Sequence, residues 1–154
     1  MELTSIIMPE MVVANLRANS KKQVLHELSE LAAQKIESSE HEILDTLLQR
    51  ERLGSTGTGN GVAIPHGKLP NMDGILGAFA RIGKPIAFDA IDDQPVDLFF
   101  MLLAPEGSGA DHLKALSKIA RILRDEKKLG ALRSAQDVDE IYKILISEVD
   151  ANAA

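Results

Sequence analysis

The chain has 154 residues, of which 45% are apolar and 26% are charged, and its formal net charge is −6. This length fits one compact domain with its own hydrophobic core. The negative charge disfavours non-specific binding to nucleic acid or to an anionic membrane surface. Since the chain contains no cysteine, disulfides, thiolate metal sites and cysteine nucleophiles are excluded.

A secretory leader has a basic start and a long apolar run. The amino-terminal segment has neither. The longest apolar run, residues 98–104, is far shorter than the ~20 residues that a membrane helix needs. We therefore expect a cytoplasmic protein without membrane insertion. We expect a single domain over residues 3–148, followed by a disordered tail over residues 149–154.

The predicted elements begin with a short extended segment over residues 3–7. Two amphipathic helices follow, because apolar residues recur at the helical period. Ser20 is the expected N-cap of the first helix, whose apolar stripe reaches Ile36. Ser39, with a glutamate three residues later, is the expected capping box of the second helix, which runs to about Arg52.

Strands are predicted in the middle of the chain. A short strand over residues 62–64 should end at Pro65, which cannot donate to a sheet ladder. Longer strands are expected over residues 75–82 and 96–103, and the second is apolar enough to be buried on both faces. A short edge piece is expected over residues 85–88.

Three helices are predicted in the last third of the chain. The first begins near Ser108, with Asp111 as a second capping residue and Leu113 on its apolar stripe. A short helix over residues 127–133 and a last helix capped by Asp137 follow. This order of elements predicts an α/β fold, a three-layer sandwich whose central mixed β-sheet is covered by helices on both faces.

The residues best suited to chemistry lie between Gly54 and Lys68. Four glycines in eight positions allow a close approach of the backbone to a ligand and expose its amides. The hydroxyls of Ser55 and Thr56 add donors that suit a phosphate. His66 follows between a proline and a glycine, at the end of the short predicted strand, where a visiting protein could reach its ring.

Imidazole suits reversible phosphoryl transfer. Its ordinary pKa of about 6.5 leaves it largely neutral at cell pH, so that one nitrogen keeps a free lone pair. The protein then has to position the groups and neutralise the charge on the phosphoryl oxygens. Arg50, Arg52 and Lys68 are the nearby cations, and an arginine fork is the natural clamp. His112, near the start of a predicted helix, could donate a hydrogen bond to the same phosphate.

Each of these features also has an ordinary structural interpretation. A histidine between proline and glycine is usually a turn residue, and arginines at a helix end are usually solvated. The glycine-rich segment matches neither the dinucleotide-binding fingerprint nor a P-loop. His112 could simply pack at the domain edge, and His26 and His41 are expected to be exposed. No histidine pair has zinc-site spacing, so neither a metal nor another cofactor is expected. The residues by themselves leave the function open.

Four segments together resemble one known family. They are the block from Arg50 to Lys68, with Pro65-His66-Gly67 inside it, and the segments 85–90, 94–98 and 111–116. In this order they resemble the IIA proteins of the phosphoenolpyruvate-dependent phosphotransferase system, fructose/mannitol class. The long block and the stand-alone length are most similar to the nitrogen-regulatory type.

The resemblance implies a mixed sheet between helical layers and phosphorylation of His66, on Nε2, by a histidine phosphocarrier protein. Arg50 resembles the active-site arginine that clamps the phosphate, and His112 resembles the second active-site histidine. Further residues are expected around the phosphate: Ser55, Thr56, Gly67 and Lys68.

For the nitrogen-regulatory type, the resemblance implies a chiefly regulatory role. The phosphorylation state would control binding to a target such as a potassium transporter, a sensor kinase or a metabolic enzyme. The first alternative is a sugar-specific IIA component that passes its phosphate to a separate IIB protein. The second is a binding module of the same fold that does not transfer phosphate.

Overall fold

The structure, a computed structural model, describes residues 2–147. The predicted tail over residues 149–154, and the last residue of the predicted domain, lie outside this range. In chain order the elements are two 3₁₀ turns and then strands and helices with these bounds: Leu3–Ser5, Pro9–Met11, β1 Val12–Leu16, α1 Lys21–Ala33, α2 Glu40–Arg52, β2 Gly57–Gly59, β3 Val62–Ala63, β4 His66–Leu69, β5 Leu76–Ile86, β6 Val96–Pro105, α3 Ala110–Ile122, α4 Glu126–Ser134 and α5 Val138–Ile146.

The strands form one mixed sheet in the order β1-β5-β6-β3-β2, and β4 also pairs with β6. β5 is antiparallel to β6 and β2 is antiparallel to β3, whereas β1 is parallel to β5. Both β3 and β4 run parallel to β6, since Val62 pairs with Leu98 and His66 pairs with Leu102. The two short strands therefore follow each other along one side of β6, and the predicted mixed sheet is confirmed.

The core lies on both faces of the central strand β6. Its residues from Leu98 to Ala104 are all buried, and successive side chains of a strand point to opposite faces. Both faces of the sheet are therefore covered, as the sequence predicted. The helices supply this cover: α1 contacts α2 and β5, α2 contacts β4, α3 contacts β6, and α5 contacts β1 and α4.

The predicted helix starts are confirmed for three helices. The side chains of Ser20, Ser39 and Asp137 each accept a hydrogen bond from the backbone amide three residues later. Each cap satisfies an amide that has no partner inside its helix. α2, which carries Arg50 in its last turn, therefore begins and ends as predicted.

Two strand predictions are wrong. Residues 3–7 are not extended: the amide and the hydroxyl of Ser5 both donate to the Glu2 carbonyl, which closes a local turn, and the first strand comes later, at Val12. Residues 85–88 do not form a separate edge piece. Ile86 still pairs with Val96, so the first two residues of this segment are the last two of β5.

Candidate functional site

The glycine-rich segment forms a hairpin, whereas the sequence analysis predicted no strand there before residue 62. β2 and β3 are joined by the two residues Asn60 and Gly61, both with left-handed φ angles, 59° and 79°. Such a pair is the strongest short sequence signal for a tight hairpin turn. A Cβ atom on Gly57 would lie 2.7 Å from the Cβ of Ala90. The absence of a side chain at Gly57 therefore lets the hairpin pack closely against Ala90.

His66 is the first residue of β4, and the strand before it ends at Ala63. The prediction that His66 ends a strand is therefore wrong. Pro65 cannot donate a backbone hydrogen bond, but its carbonyl accepts one from the Leu102 amide at 2.9 Å. The ladder with β6 consequently continues past the proline, and this pairing holds the backbone of His66 firmly beside the sheet.

Gly67 allows helix α2 to lie directly on β4. A Cβ atom at this position would be 2.7 Å from the Cγ2 atom of Thr46, which is closer than carbon atoms normally approach. Arg50 lies one turn after Thr46 on the same helix, so the close contact brings its guanidinium to the ring of His66.

The hydrogen bonds of the His66 ring define its tautomer. Nδ1 lies 2.8 Å from the carbonyl oxygen of Ile64, and Arg50 Nε lies 3.3 Å from Nε2. A carbonyl only accepts and a guanidinium only donates, so the proton is on Nδ1 and the lone pair is on Nε2. A second nitrogen of Arg50, Nη1, donates to the Gly54 carbonyl at 2.9 Å and fixes the plane of the guanidinium.

The pKa of His66 is lowered from the ordinary value, chiefly because the ring is partly buried and secondly because the Arg50 cation is close. The hydrogen bond to Ile64 and the Glu51 carboxylate act in the opposite direction, without reversing the shift. The neutral ring, with its free lone pair, is therefore favoured at neutral pH.

His112 lies in the first turn of α3, and its ring centroid is 5.7 Å from that of His66. Its Nδ1 atom is buried and has no hydrogen-bond partner. Burial lowers the pKa of His112, and the nearby His66 and Lys68 lower it further. The structure therefore brings the two predicted histidines together, and the lowered pKa values favour the neutral form of both rings.

Two details of α3 differ from the prediction. Gly109 is the N-cap and makes no side-chain capping bond, because the Ser108 hydroxyl donates to the Pro105 carbonyl at 2.7 Å. Leu113 is not on the buried stripe but is 65% exposed. The buried face of α3 begins instead with His112. The side chain of this histidine therefore points inward.

An open pocket surrounds the His66 ring. Four of the residues lining it were predicted from the sequence besides His66: Arg50, Gly67, Lys68 and His112. The other three lining residues, Thr46, Gln49 and Leu53, were missed. Thr46 and Gln49 lie on α2 and Leu53 is its C-cap. Their spacing of three or four residues is that of one helix face.

The structure does not bring the predicted Ser55 and Thr56 hydroxyls to this pocket. Ser55 donates to the Phe88 carbonyl at 2.7 Å, and the hydroxyl of Thr56 donates to the Glu51 carboxylate. Both hydroxyls are therefore engaged in holding the loop after α2.

His26 is half-buried, contrary to the expectation that it is exposed, whereas His41 is exposed as expected. Within residues 2–147, His26, Glu30 and Glu40 bring metal-ligand atoms within 4.8 Å of one another. His26 Nε2 lies 2.6 Å from Glu40, and Nδ1 lies 3.5 Å from Glu30. Each ring nitrogen thus faces a carboxylate, and the contact with Glu40 is a hydrogen bond.

Among the helices of residues 2–147, there is none whose length and apolar character would suffice to cross a membrane.

Residues 5–148 match the family described as "Phosphoenolpyruvate-dependent sugar phosphotransferase system, EIIA 2". The chain belongs to this family. The predicted resemblance is thereby confirmed, and phosphotransfer is the activity that the family implies for a IIA domain with this pocket.

The similar relatives include several nitrogen regulatory proteins. A "Nitrogen regulatory protein" of Bradyrhizobium diazoefficiens is 52% identical over 145 residues, which cover 94% of this chain and 95% of the relative. One from Escherichia coli K12 is 43% identical over 146 residues, covering 94% and 90%. The crystal structure of "Nitrogen Regulatory Protein IIA-Ntr" from Neisseria meningitidis superposes with a TM-score of 0.89 at 36% identity, covering 93% of this IIA domain and 98% of that chain.

Proposed function

We propose that this IIA domain is a phosphocarrier whose His66 accepts a phosphoryl group on Nε2 from a phospho-histidine carrier protein. The observation that supports this most is the hydrogen bonding of the His66 ring. Nδ1 donates to the Ile64 carbonyl, which leaves the lone pair on Nε2, at the side where Arg50 approaches. The ring also lines an open pocket, so a donor protein can reach it.

The transfer step needs no cofactor. The Nε2 lone pair of His66 forms a bond to the phosphorus atom, while the phosphorus–nitrogen bond of the donor breaks and its electron pair returns to the donor imidazole. The Nδ1 proton stays on the His66 ring, where the Ile64 carbonyl holds it at 2.8 Å. This hydrogen bond also stabilises the positive charge that the ring acquires when the new bond forms.

Charge on the phosphoryl oxygens is neutralised by the groups around the ring. Arg50 leaves Nε2 when the phosphorus arrives, and its planar fork then binds two phosphoryl oxygens. Lys68 adds a second cation at the exposed side of the pocket. His112, whose ring is 5.7 Å from His66, donates an N–H to another oxygen and stabilises the transition state.

The role of the phosphocarrier is regulatory. The 52% identity to a protein named nitrogen regulatory protein supports this assignment. A phosphoryl group adds roughly −1.5 to −2 charges at neutral pH. Leu53, which is 84% exposed and lines the same pocket, adds an exposed apolar side chain to the surface beside the site. A target protein that docks on this surface distinguishes the two charge states, whether it is a potassium transporter, a sensor kinase or a metabolic enzyme.

The experiment is a reconstituted relay in which phosphoenolpyruvate, the upstream enzyme and the carrier protein charge this chain with labelled phosphate. His66→Ala should abolish labelling, and the matched control His41→Ala, at an exposed histidine on α2, should label like the wild type. Labelling of the His66→Ala protein at normal stoichiometry would contradict the proposal, and no labelling of the wild type would favour a non-transferring binding module.

The alternative role in sugar transport is tested in the same relay by adding a sugar-specific IIB protein. Rapid passage of the label from this chain to the IIB protein would favour the transport role. Retention of the label, together with a target that binds only one phosphorylation state, supports the regulatory role.

A further inference from the structure

Glu51, the residue that follows Arg50 in the chain, has a buried carboxylate that forms an ion pair. The Glu51 side chain is only 4% exposed, and Lys21 Nζ, from the start of α1, lies 3.0 Å from its Oε1. A buried carboxylate is costly unless its oxygens are paired and hydrogen-bonded. The amide of Thr56 donates to Oε1 at 3.1 Å, and the hydroxyl of Thr56 donates to Oε2. Both oxygens of Glu51 are therefore occupied.

Two continuous connections lead from this carboxylate to the His66 ring. The Thr56 carbonyl accepts the Ile64 amide at 3.0 Å, and the Ile64 carbonyl accepts the Nδ1 proton of His66 at 2.8 Å. On the other side, Glu51 is the neighbour of Arg50 in the chain. The bonds from Thr56 close the segment that contains Gly54, whose carbonyl orients the Arg50 guanidinium.

We propose that Glu51 is a positioning residue: through Lys21 and Thr56 it holds the Ile64 carbonyl in place, and thereby keeps the proton of His66 on Nδ1 and the lone pair on Nε2. The consequence for phosphoryl transfer rests on the proposed function. The consequence for the ring itself does not, and it can be measured in the protein without phosphate.

The arrangement requires a carboxylate rather than an amide. In Glu51→Gln, one oxygen still accepts from Thr56, but the new NH₂ group cannot accept the second bond and repels the Lys21 ammonium. Thr56 is then held less firmly, and the Ile64 carbonyl with it. The Gly54 carbonyl, which orients Arg50, loosens together with Thr56, so the ring loses its fixed partners at both nitrogens. Such a ring populates both neutral tautomers, and in one of them Nε2 carries the proton and cannot attack.

The first measurement is the tautomer of His66 by ¹⁵N NMR of the imidazole nitrogens at a pH where the ring is neutral. The wild type should show the Nδ1–H form, and Glu51→Gln should show a mixture. The matched control is Asp97→Asn, which breaks another ion pair, between Asp97 and Arg133 at 2.9 Å, and should leave the Nδ1–H form unchanged. The second measurement is the rate of phosphoryl acceptance, which should fall roughly tenfold to a hundredfold in Glu51→Gln only.

A second pair of variants covers the case in which Glu51→Gln does not fold. Thr56→Val removes the hydroxyl that donates to Glu51 but keeps the backbone bonds, so it should give the mixed tautomer. Thr56→Ser keeps a hydroxyl donor and should show the Nδ1–H form of the wild type. An unchanged tautomer in folded Glu51→Gln or in Thr56→Val overturns the inference. A mixed tautomer with a wild-type transfer rate also overturns it. If the wild type accepts no phosphate while Glu51→Gln alters the ring, the proposed function fails and the control of the tautomer by Glu51 stands.

Discussion

The contact between Gly67 and Thr46 gives the most direct structural test of how the site is built. Gly67→Ala adds a Cβ atom 2.7 Å from the Thr46 Cγ2 atom. Since carbon atoms pack at about 3.5–4.0 Å, β4 and α2 have to separate by roughly 1 Å. Overpacking of this kind costs about 1–3 kcal/mol in the free energy of unfolding.

The same displacement should also weaken the site. Arg50 Nε lies 3.3 Å from His66 Nε2, already near the upper limit of a hydrogen bond, so a further shift breaks it. A misplacement of roughly 1 Å in a reacting group lowers rates by up to about a hundredfold. We therefore expect Gly67→Ala to be both less stable and markedly slower in accepting phosphate.

The assays are urea unfolding and single-turnover phosphoryl acceptance, with two control proteins. Gly83→Ala places the same methyl group in strand β5, where nothing lies within 4 Å, and should cost little in either assay. Thr46→Ser combined with Gly67→Ala removes the clashing methyl and keeps the hydroxyl that bonds to the Glu42 carbonyl, so it should recover both properties. The reasoning is refuted if Gly67→Ala behaves like Gly83→Ala, or if the double variant recovers neither.

Three further predictions concern the charged and titrating groups. Arg50→Lys should slow phosphoryl acceptance in rapid-quench assays, because an ammonium cannot reproduce a planar fork; an unchanged rate would contradict the clamp. His112→Gln should still be labelled but should pass its phosphate on slowly, whereas wild-type transfer kinetics would make His112 merely structural. Burial lowers the pKa of both His66 and His112 in the folded protein, so the unfolded chain binds more protons. The free energy of unfolding should thus fall as the pH drops from about 6.5 through the folded-state pKa values. Urea titrations at several pH values should show this fall, and His112→Gln should make it shallower; an equally steep fall would refute the contribution of His112.

The sequence predicted the features of the fold that depend on periodic patterns. The apolar period of α2 and its cap at Ser39 place Arg50 in the last turn of a helix, and the apolar run of β6 identifies the central strand. These signals are local, so they can be read along the chain. The mixed sheet follows from the order of the elements.

What the sequence missed depends on contacts between distant segments. Pro65 predicts a strand end, but its carbonyl accepts a hydrogen bond from the Leu102 amide, 37 residues later in the chain. This bond lets the ladder resume at His66. Ser108 is of a residue type that is typical of an N-cap, yet its hydroxyl donates to the Pro105 carbonyl. The hairpin differs from these cases, because Asn60 followed by glycine is a local signal that the sequence itself contains.

The candidate site shows the same division. His66, Arg50 and His112 were predicted chiefly through resemblance to a family, and the structure brings the three side chains together. Ser55 and Thr56 were predicted from their hydroxyl groups, but these groups bond to Phe88 and Glu51. A count of donors along a loop does not reveal which way each donor points.

The central claim is that the lone pair on Nε2 of His66 is the phosphoryl acceptor. The most direct test is ¹⁵N and ³¹P NMR of the labelled chain, charged in the phosphoenolpyruvate relay, with detection of the coupling between phosphorus and the ring nitrogen. The account predicts one phosphorus–nitrogen bond, at Nε2 of His66, with the proton still on Nδ1 beside the Ile64 carbonyl. A phosphoryl group on Nδ1 of His66, or on His112, would contradict it.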